Sequence, residues 1–286
     1  MEQEIKTYNV NGEMVWTGHL TKINGISQEK PIPFRIRPLN INDAEIMGNF
    51  SHTIYENLHS GEECFIHKHT KEYYYQIFQN HNVKYIGVFV GEKLVGMSSI
   101  TICNNKEELE EELPNSNYNF FSKSRNRNLN KVASLGADSV LPEYRGNHLN
   151  IIMINYRIEE AQRQGCTDCT SIVDRNNRWN MTPYFTCRFN LFETAIDPSD
   201  GGKISLLHKP IEKDTVLSCF KTRVALPYDR LELIDKMIEK GFIGIEFNPK
   251  TAEVTFAHSS YYKQRATRNN NDFMLMLMEE NQRKAV

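Results

Sequence analysis

The sequence predicts a mixed α/β fold organised around one parallel β-α-β unit, and three observations predict it. Residues 131–140 are a run of small and β-branched residues without alternating charge, as a buried strand requires. From Leu149 the apolar set Leu149, Ile152, Met153, Tyr156 and Ala161 recurs at helical spacing, with the charges of Arg157, Glu159, Glu160 and Arg163 falling between, until Gly165 stops the helix. A second apolar strand, 169–174, follows directly. Strand, helix and strand with short joints form a right-handed crossover between parallel strands.

The joint inside this unit is Asp138-Ser139-Val140-Leu141-Pro142-Glu143-Tyr144-Arg145-Gly146-Asn147-His148-Leu149-Asn150. Pro142 has no N–H for a ladder and closes the strand. Gly146 permits close backbone approach at the loop tip. Free N–H groups from Arg145 to Asn150, at the start of a helix, make a site for a phosphate or pyrophosphate. No Gly-Lys-Ser/Thr follows and no GxGxxG is present, so neither common nucleotide fingerprint applies.

In chain order, residues 6–9 and 14–20 read as strands, with Asn-Gly turns at 11–12 and 24–25 and a joint at Pro31-Ile32-Pro33. Residues 34–39 are a strand, and Asn40-x-x-Asp43 opens a helix that runs to about Asn57. A second helix, with an aromatic face that includes Tyr74 and Phe78, is expected over 67–80. Residues 84–90 and 94–102 form a hairpin around Gly91. An insertion over 104–130 carries an acidic segment, an aromatic patch and a basic run. A loop that long is either functional, as a substrate lid, or a solvated excursion.

Residues 191–196 and 203–211 close a further hairpin. The remainder, 212–286, reads as a strand at 216–225, a helix at 228–240, a hairpin around Asn248 and a methionine-rich tail helix from about Asp272. That tail either packs on the core or docks on another chain, a second copy or a protein partner. The expected divisions are an N-terminal extension (1–33), a central domain (34–211) and a C-terminal extension (212–286).

Composition narrows the classes. The 286 residues suffice for one large domain with additions, and a net charge of −2 argues against general nucleic-acid affinity. No apolar run reaches membrane-spanning length, and the acidic start lacks the regions of a signal peptide, so a cytoplasmic enzyme is expected. The six cysteines are dispersed. Cys166 and Cys169 alone have ligand spacing, and with no further ligands at motif distance no metal site is expected.

Val140-x-Pro142-Glu143-Tyr144-Arg145-Gly146 resembles the coenzyme A loop of the GNAT superfamily of N-acetyltransferases. That family carries Asn, a Tyr seven residues on, and Gly-Phe after the next strand. Here stand Asn177, Tyr184 and Arg188-Phe189, with Arg188 as the departure. The resemblance implies a mixed, mostly antiparallel sheet with the parallel unit at its centre. It implies acetyl-CoA as cosubstrate and direct acetyl transfer to a primary amine in a ternary complex. The alternative is a coenzyme-binding regulatory or interaction module with weak turnover.

On that resemblance the coenzyme lies against Ser139, Val140, Arg145, Gly146, Asn147, His148, Leu149, Asn150 and Asn177. Tyr184 occupies the place of the general acid, or packs as an aromatic. Ser134 stands where the family often has a glutamate base, and serine cannot serve unaided. Asp138 is either a relay through water or a satisfied turn acid. His148 replaces a usual Gly or Ala, and Asn177 either holds the pantetheine arm or ties down its own loop.

Overall fold

Strands dominate, and each has a local reason. β4 (Val83–Val90) and β5 (Lys93–Cys103) turn over Gly91, whose φ of 58° suits glycine. β6 (Val132–Val140) and β7 (Asp168–Asp174) are almost wholly apolar or small and are covered on both faces. The computed structural model describes residues 5–60, 62, 66–112, 131–197, 201–211 and 223–258. Among them, twelve strands form one sheet in the order β1-β2-β3-β4-β5-β6-β7-β9-β8-β11-β12-β10. All neighbours run antiparallel except β6 and β7. The sheet is mixed and mostly antiparallel, with its parallel pair at the centre.

β1 (Lys6–Val10), β2 (Glu13–Ile23) and β3 (Ile26–Pro38) form one edge. The expected joint at Pro31–Pro33 lies inside β3, which continues through both prolines. Pairing of β3 with β4 covers only Arg35–Pro38, so at residues 31–33 one side of the strand is open. A proline there costs no ladder bond.

α1 (Ala44–Glu56) follows a 3-10 turn over Ile41–Asp43, capped by Asn40, with the Asp43 carboxylate bound by both guanidinium nitrogens of Arg37 at 2.8 Å. α2 is shorter than expected, Lys71–Ile77, because the chain before it is held extended: the His69 N–H donates to Ser51 Oγ at 2.9 Å. The acidic segment of the insertion is a helix, α3 (Lys106–Glu112), with Leu109 buried; residues 113–130, and with them the rest of the expected lid, lie outside the described residues.

α4 (Leu149–Arg163) crosses from β6 to β7, and α5 (Arg178–Thr186) follows β7. β8 (Asn190–Ile196) and β9 (Lys203–Pro210) form the expected hairpin. β10 (Arg223–Pro227), α6 (Leu231–Glu239), β11 (Phe242–Asn248) and β12 (Glu253–His258) extend the sheet. They join it where Gly244 meets Leu191, an approach so close that a Cβ on Gly244 would lie 3.0 Å from the Leu191 Cβ. The expected tail helix lies outside the described residues. No described helix is long and apolar enough to cross a membrane.

Candidate active site

β6 and β7 pair through only four residues, from Val132↔Asp168 to Leu135↔Ser171. Beyond Leu135 they part, and a cleft of about 170 Å³ opens between them. Gly136, Ala137 and Asp138 line it from β6, and Ile172, Val173 and Asp174 from β7. Asn180 and Tyr184 of α5, its cap Asn177, and Ile66, Asp197 and Ile204 complete the lining.

A β-bulge sets this geometry. Met97 of β5 pairs with Ser139 and Ser99 with Gly136, so Ser98 alone faces both Ala137 and Asp138. Ala137 takes a φ of 53°, in the left-handed region where a Cβ is strained. Such a bulge turns a side chain out of the ordinary alternation. Here it brings the Asp138 carboxylate toward α4 and α5.

Asp138 is held from two sides. Arg157, buried completely, donates from Nη2 to Asp138 Oδ1 at 2.5 Å, and its other nitrogens bind the carbonyls of Ser99, Gly136 and Met153. The Tyr184 hydroxyl donates to Asp138 Oδ2 at 2.6 Å and lies 3.5 Å from the Leu135 carbonyl. Burial pushes the Tyr184 phenol far above its ordinary value, and the Asp138 charge adds to that against the pull of Arg157. The phenol is therefore a donor that keeps its proton.

Arg157 was hidden in the helical pattern among apparently solvent-facing charges. Its spacing from Met153 and Ala161, four residues to either side and both buried, is the signal that places it on the inner stripe.

The loop after β6 is pinned to β2. Asn147 is buried; its Oδ1 accepts from the N–H groups of Thr21 and Lys22, and its Nδ2 donates to the carbonyls of Lys22 and Tyr144. The Asn147 side chain is thus spent on holding the loop, while the reading of this loop as a phosphate site rests on its backbone N–H groups. Arg145 turns its Nε back to the Val140 carbonyl, 3.2 Å away. The Glu143 carboxylate, a charge poorly suited to a phosphate site, is paired with Lys93 Nζ at 2.9 Å.

Gly146 and His148 both take left-handed φ, 80° and 58°, which explains why a glycine suits position 148 better than histidine does. Ser139, Val140 and Leu149 are buried under the loop. Asn177 caps α5 by accepting from the Asn180 N–H at 3.4 Å while also lining the cleft.

Residues 53–182, which include the loop, the crossover and the cleft's lining apart from Tyr184, Asp197 and Ile204, match the model of the acetyltransferase (GNAT) family. Over that stretch the chain is similar to a GNAT acetyltransferase domain. Solved structures of similar shape include the acetyltransferase of the GNAT family from Streptococcus pneumoniae, 16% identical over 63% of this chain and 99% of that one, with a TM-score of 0.44. The PaiA N-acetyltransferase from Thermoplasma acidophilum in complex with coenzyme A is 17% identical, covering 62% and 98%, with a TM-score of 0.42. Arabidopsis thaliana NAA60 in complex with a bisubstrate analogue is 14% identical, covering 62% and 97%, with a TM-score of 0.45. No curated protein matches the sequence.

Acetyl-CoA is the cosubstrate of a GNAT acetyltransferase, and the residues present fit it. The first N–H groups of α4, at Leu149, Asn150 and Ile151, have no intrahelical acceptor. A Cβ on Gly146 would meet nothing within 4 Å, so the loop tip is open. Asn150 Oδ1 is buried without a partner and suits a donor such as an amide N–H. Ser134 is buried on β6 just before the strands part, and it pairs with Thr101 on β5 and Thr170 on β7. Ala133 and Leu135 pack with Tyr184, whereas Val132 packs with Leu109 of α3, so Ser134 faces the α3 side.

Proposed function

We propose that this cleft carries acetyl transfer from acetyl-CoA to a primary amine, with Tyr184 as the donor to the departing sulfur. The observation that carries the reading is the parting of β6 and β7 after Leu135, with the Tyr184 hydroxyl and Asp138 inside the gap. The edge of β6 that leaves β7 offers backbone groups on which a pantetheine arm can lie like an added strand. The loop at Gly146 and the start of α4 suit the pyrophosphate. When bound, acetyl-CoA supplies the thioester carbon that the amine attacks.

Magnitudes fix the kind of help Tyr184 gives. An alkyl thiol titrates near ~8.5 and an unperturbed phenol near ~10, a gap of about 2 kcal/mol that the raised phenol only widens. Tyr184 therefore hydrogen-bonds the sulfur as the bond breaks and does not end the reaction deprotonated. Asp138 orients the hydroxyl, and Arg157 fixes Asp138. Asp174 and Asp197 line the same cleft, which favours a substrate that arrives as an ammonium ion.

The test is acetyl-CoA binding together with thioester consumption across a panel of primary amines. Acetyl-CoA at a hundred times its Kd should stabilise the fold by about 2.7 kcal/mol. Gly146→Glu, which fills the open tip with a carboxylate, should abolish that shift. Amine-independent thioester loss, or an undiminished shift in the glutamate variant, would count against the proposal.

A further inference from the structure

The amine must lose a proton before it attacks. Of the cleft's carboxylates, Asp138 is already occupied by Arg157 and Tyr184, Asp174 accepts from the Asn176 N–H at 2.7 Å, and Asp197 lines the same cleft. An acceptor stands on the other face of β6. Glu112 ends α3 three residues after Leu109, which anchors the helix against Cys103 and Val132. The Glu112 carboxylate accepts hydrogen bonds from the hydroxyls of Ser134 and Thr101, which are cross-strand partners.

Ser134 lies two residues before Gly136, on the same face, and Gly136 lines the cleft with no side chain in the way. Two residues of strand span about 6.6 Å, a gap that the ammonium group itself or one water can bridge. We propose that Glu112, acting through the Ser134 hydroxyl, takes the first proton from the acceptor amine.

This rests on the acetyl-transfer reading above. Ser134 passes its proton to Glu112 and takes one from the ammonium ion. The freed nitrogen then bonds to the acetyl carbon as the carbon–sulfur bond breaks. The second proton shed by nitrogen ends on the sulfur as free thiol, and Glu112 returns the first to solvent.

The surroundings suit a base. Burial raises the Glu112 carboxyl above its ordinary value, against the Ser134 and Thr101 bonds, and the Glu111 charge adds to the rise. The titratable groups near it are Tyr85 on β4, with Tyr73 and Tyr74 of α2 beside that ring, Cys103 on β5, and Glu108 and Glu111 on α3. Burial holds the Tyr85 phenol and the Cys103 thiol in their neutral forms, so they add no charge of their own. Further along the same face, His208 is bound to Asp168 at 2.9 Å.

The experiment measures kcat/KM against pH for the full chain, Glu112→Gln and Ser134→Ala, each with acetyl-CoA and an amine that the unaltered chain acetylates. Acetyl-CoA affinity is measured alongside. The expected result is a loss on the order of 10²-fold in both variants, with the acidic limb gone in Glu112→Gln and acetyl-CoA affinity retained. The loss should shrink toward unity for a weakly basic amine already neutral at the assay pH, which a merely structural defect would not produce.

A carboxyl raised on folding adds stability at low pH that is lost as pH rises through its folded value, so Glu112→Gln should also be the more stable form above that pH. If Glu112→Gln does not fold, the weakly basic amine compared in Ser134→Ala decides alone. An unchanged acidic limb and rate in Glu112→Gln, or an equal loss for basic and weakly basic amines in either variant, overturns the proposal. Acetyl-CoA binding without any acetylated amine in the unaltered chain would instead defeat the parent reading.

Discussion

Tyr184→Phe deletes one oxygen and leaves the ring. The ring stays packed edge-on against Phe189, at 5.0 Å between centroids. What is lost is the 2.6 Å bond to Asp138 and the longer contact with the Leu135 carbonyl. A hydrogen bond to a charged partner is worth about 1.5–3 kcal/mol, and Asp138 retains Arg157, so the variant should fold with a stability loss of roughly 2 kcal/mol. General-acid assistance commonly gives about 10²–10⁴-fold. A phenol raised well above the thiol belongs at the low end, so the chemical step should slow about 10²-fold, or about 2.7 kcal/mol of barrier. Single-turnover release of free thiol at saturating amine reports that step without product release, and calorimetry reports acetyl-CoA Kd. A rate within about threefold of the unaltered chain, with binding intact, would refute the donor role.

Three further substitutions probe the scaffold. Arg157→Met strands the buried Asp138 charge and should cost about 3–5 kcal/mol in urea unfolding; a loss below about 1 kcal/mol would show that Asp138 is satisfied without it. Asn147→Ala removes three hydrogen bonds between the loop and β2 and one within the loop, so acetyl-CoA affinity should fall together with stability; a lost stability with unchanged Kd would separate the loop's position from binding. His148→Gly relieves a left-handed side chain and should stabilise by about 1 kcal/mol in the same unfolding assay, whereas destabilisation would mean that the imidazole holds the loop.

Local features were legible in the sequence, and non-local ones were not. The buried run of β6, the period of α4 and the stop at Gly165 are properties of neighbouring residues, so the sequence alone places the crossover and its loop. The bulge at Ala137 depends on β5 register, where one residue faces two, and nothing within 136–139 announces it. Asn147 is expected at the coenzyme through the backbone of its loop, and nothing nearby in the sequence says what its side chain does. Its side chain is satisfied by backbone 125 and 126 residues away. Arg157 looked like surface charge because its partner, Asp138, faces it only through the bulge. Pro31 and Pro33 read as a joint because a proline bars a ladder bond, yet β3 has an open side there. The bond between Ser134 and the helix of the insertion joins residues 22 apart across a stretch whose course the sequence leaves open.

Acetyl transfer to an amine is tested most directly by following the product. The full chain is mixed with excess acetyl-CoA and a cationic primary amine, quenched over a time course, and analysed by mass spectrometry for the amine carrying one added acetyl group. Acetylated amine appearing in step with free thiol, and slowed about 10²-fold in Tyr184→Phe, is the predicted result. Free thiol released at one rate with and without amines, and no acetylated product from any of them, would contradict it.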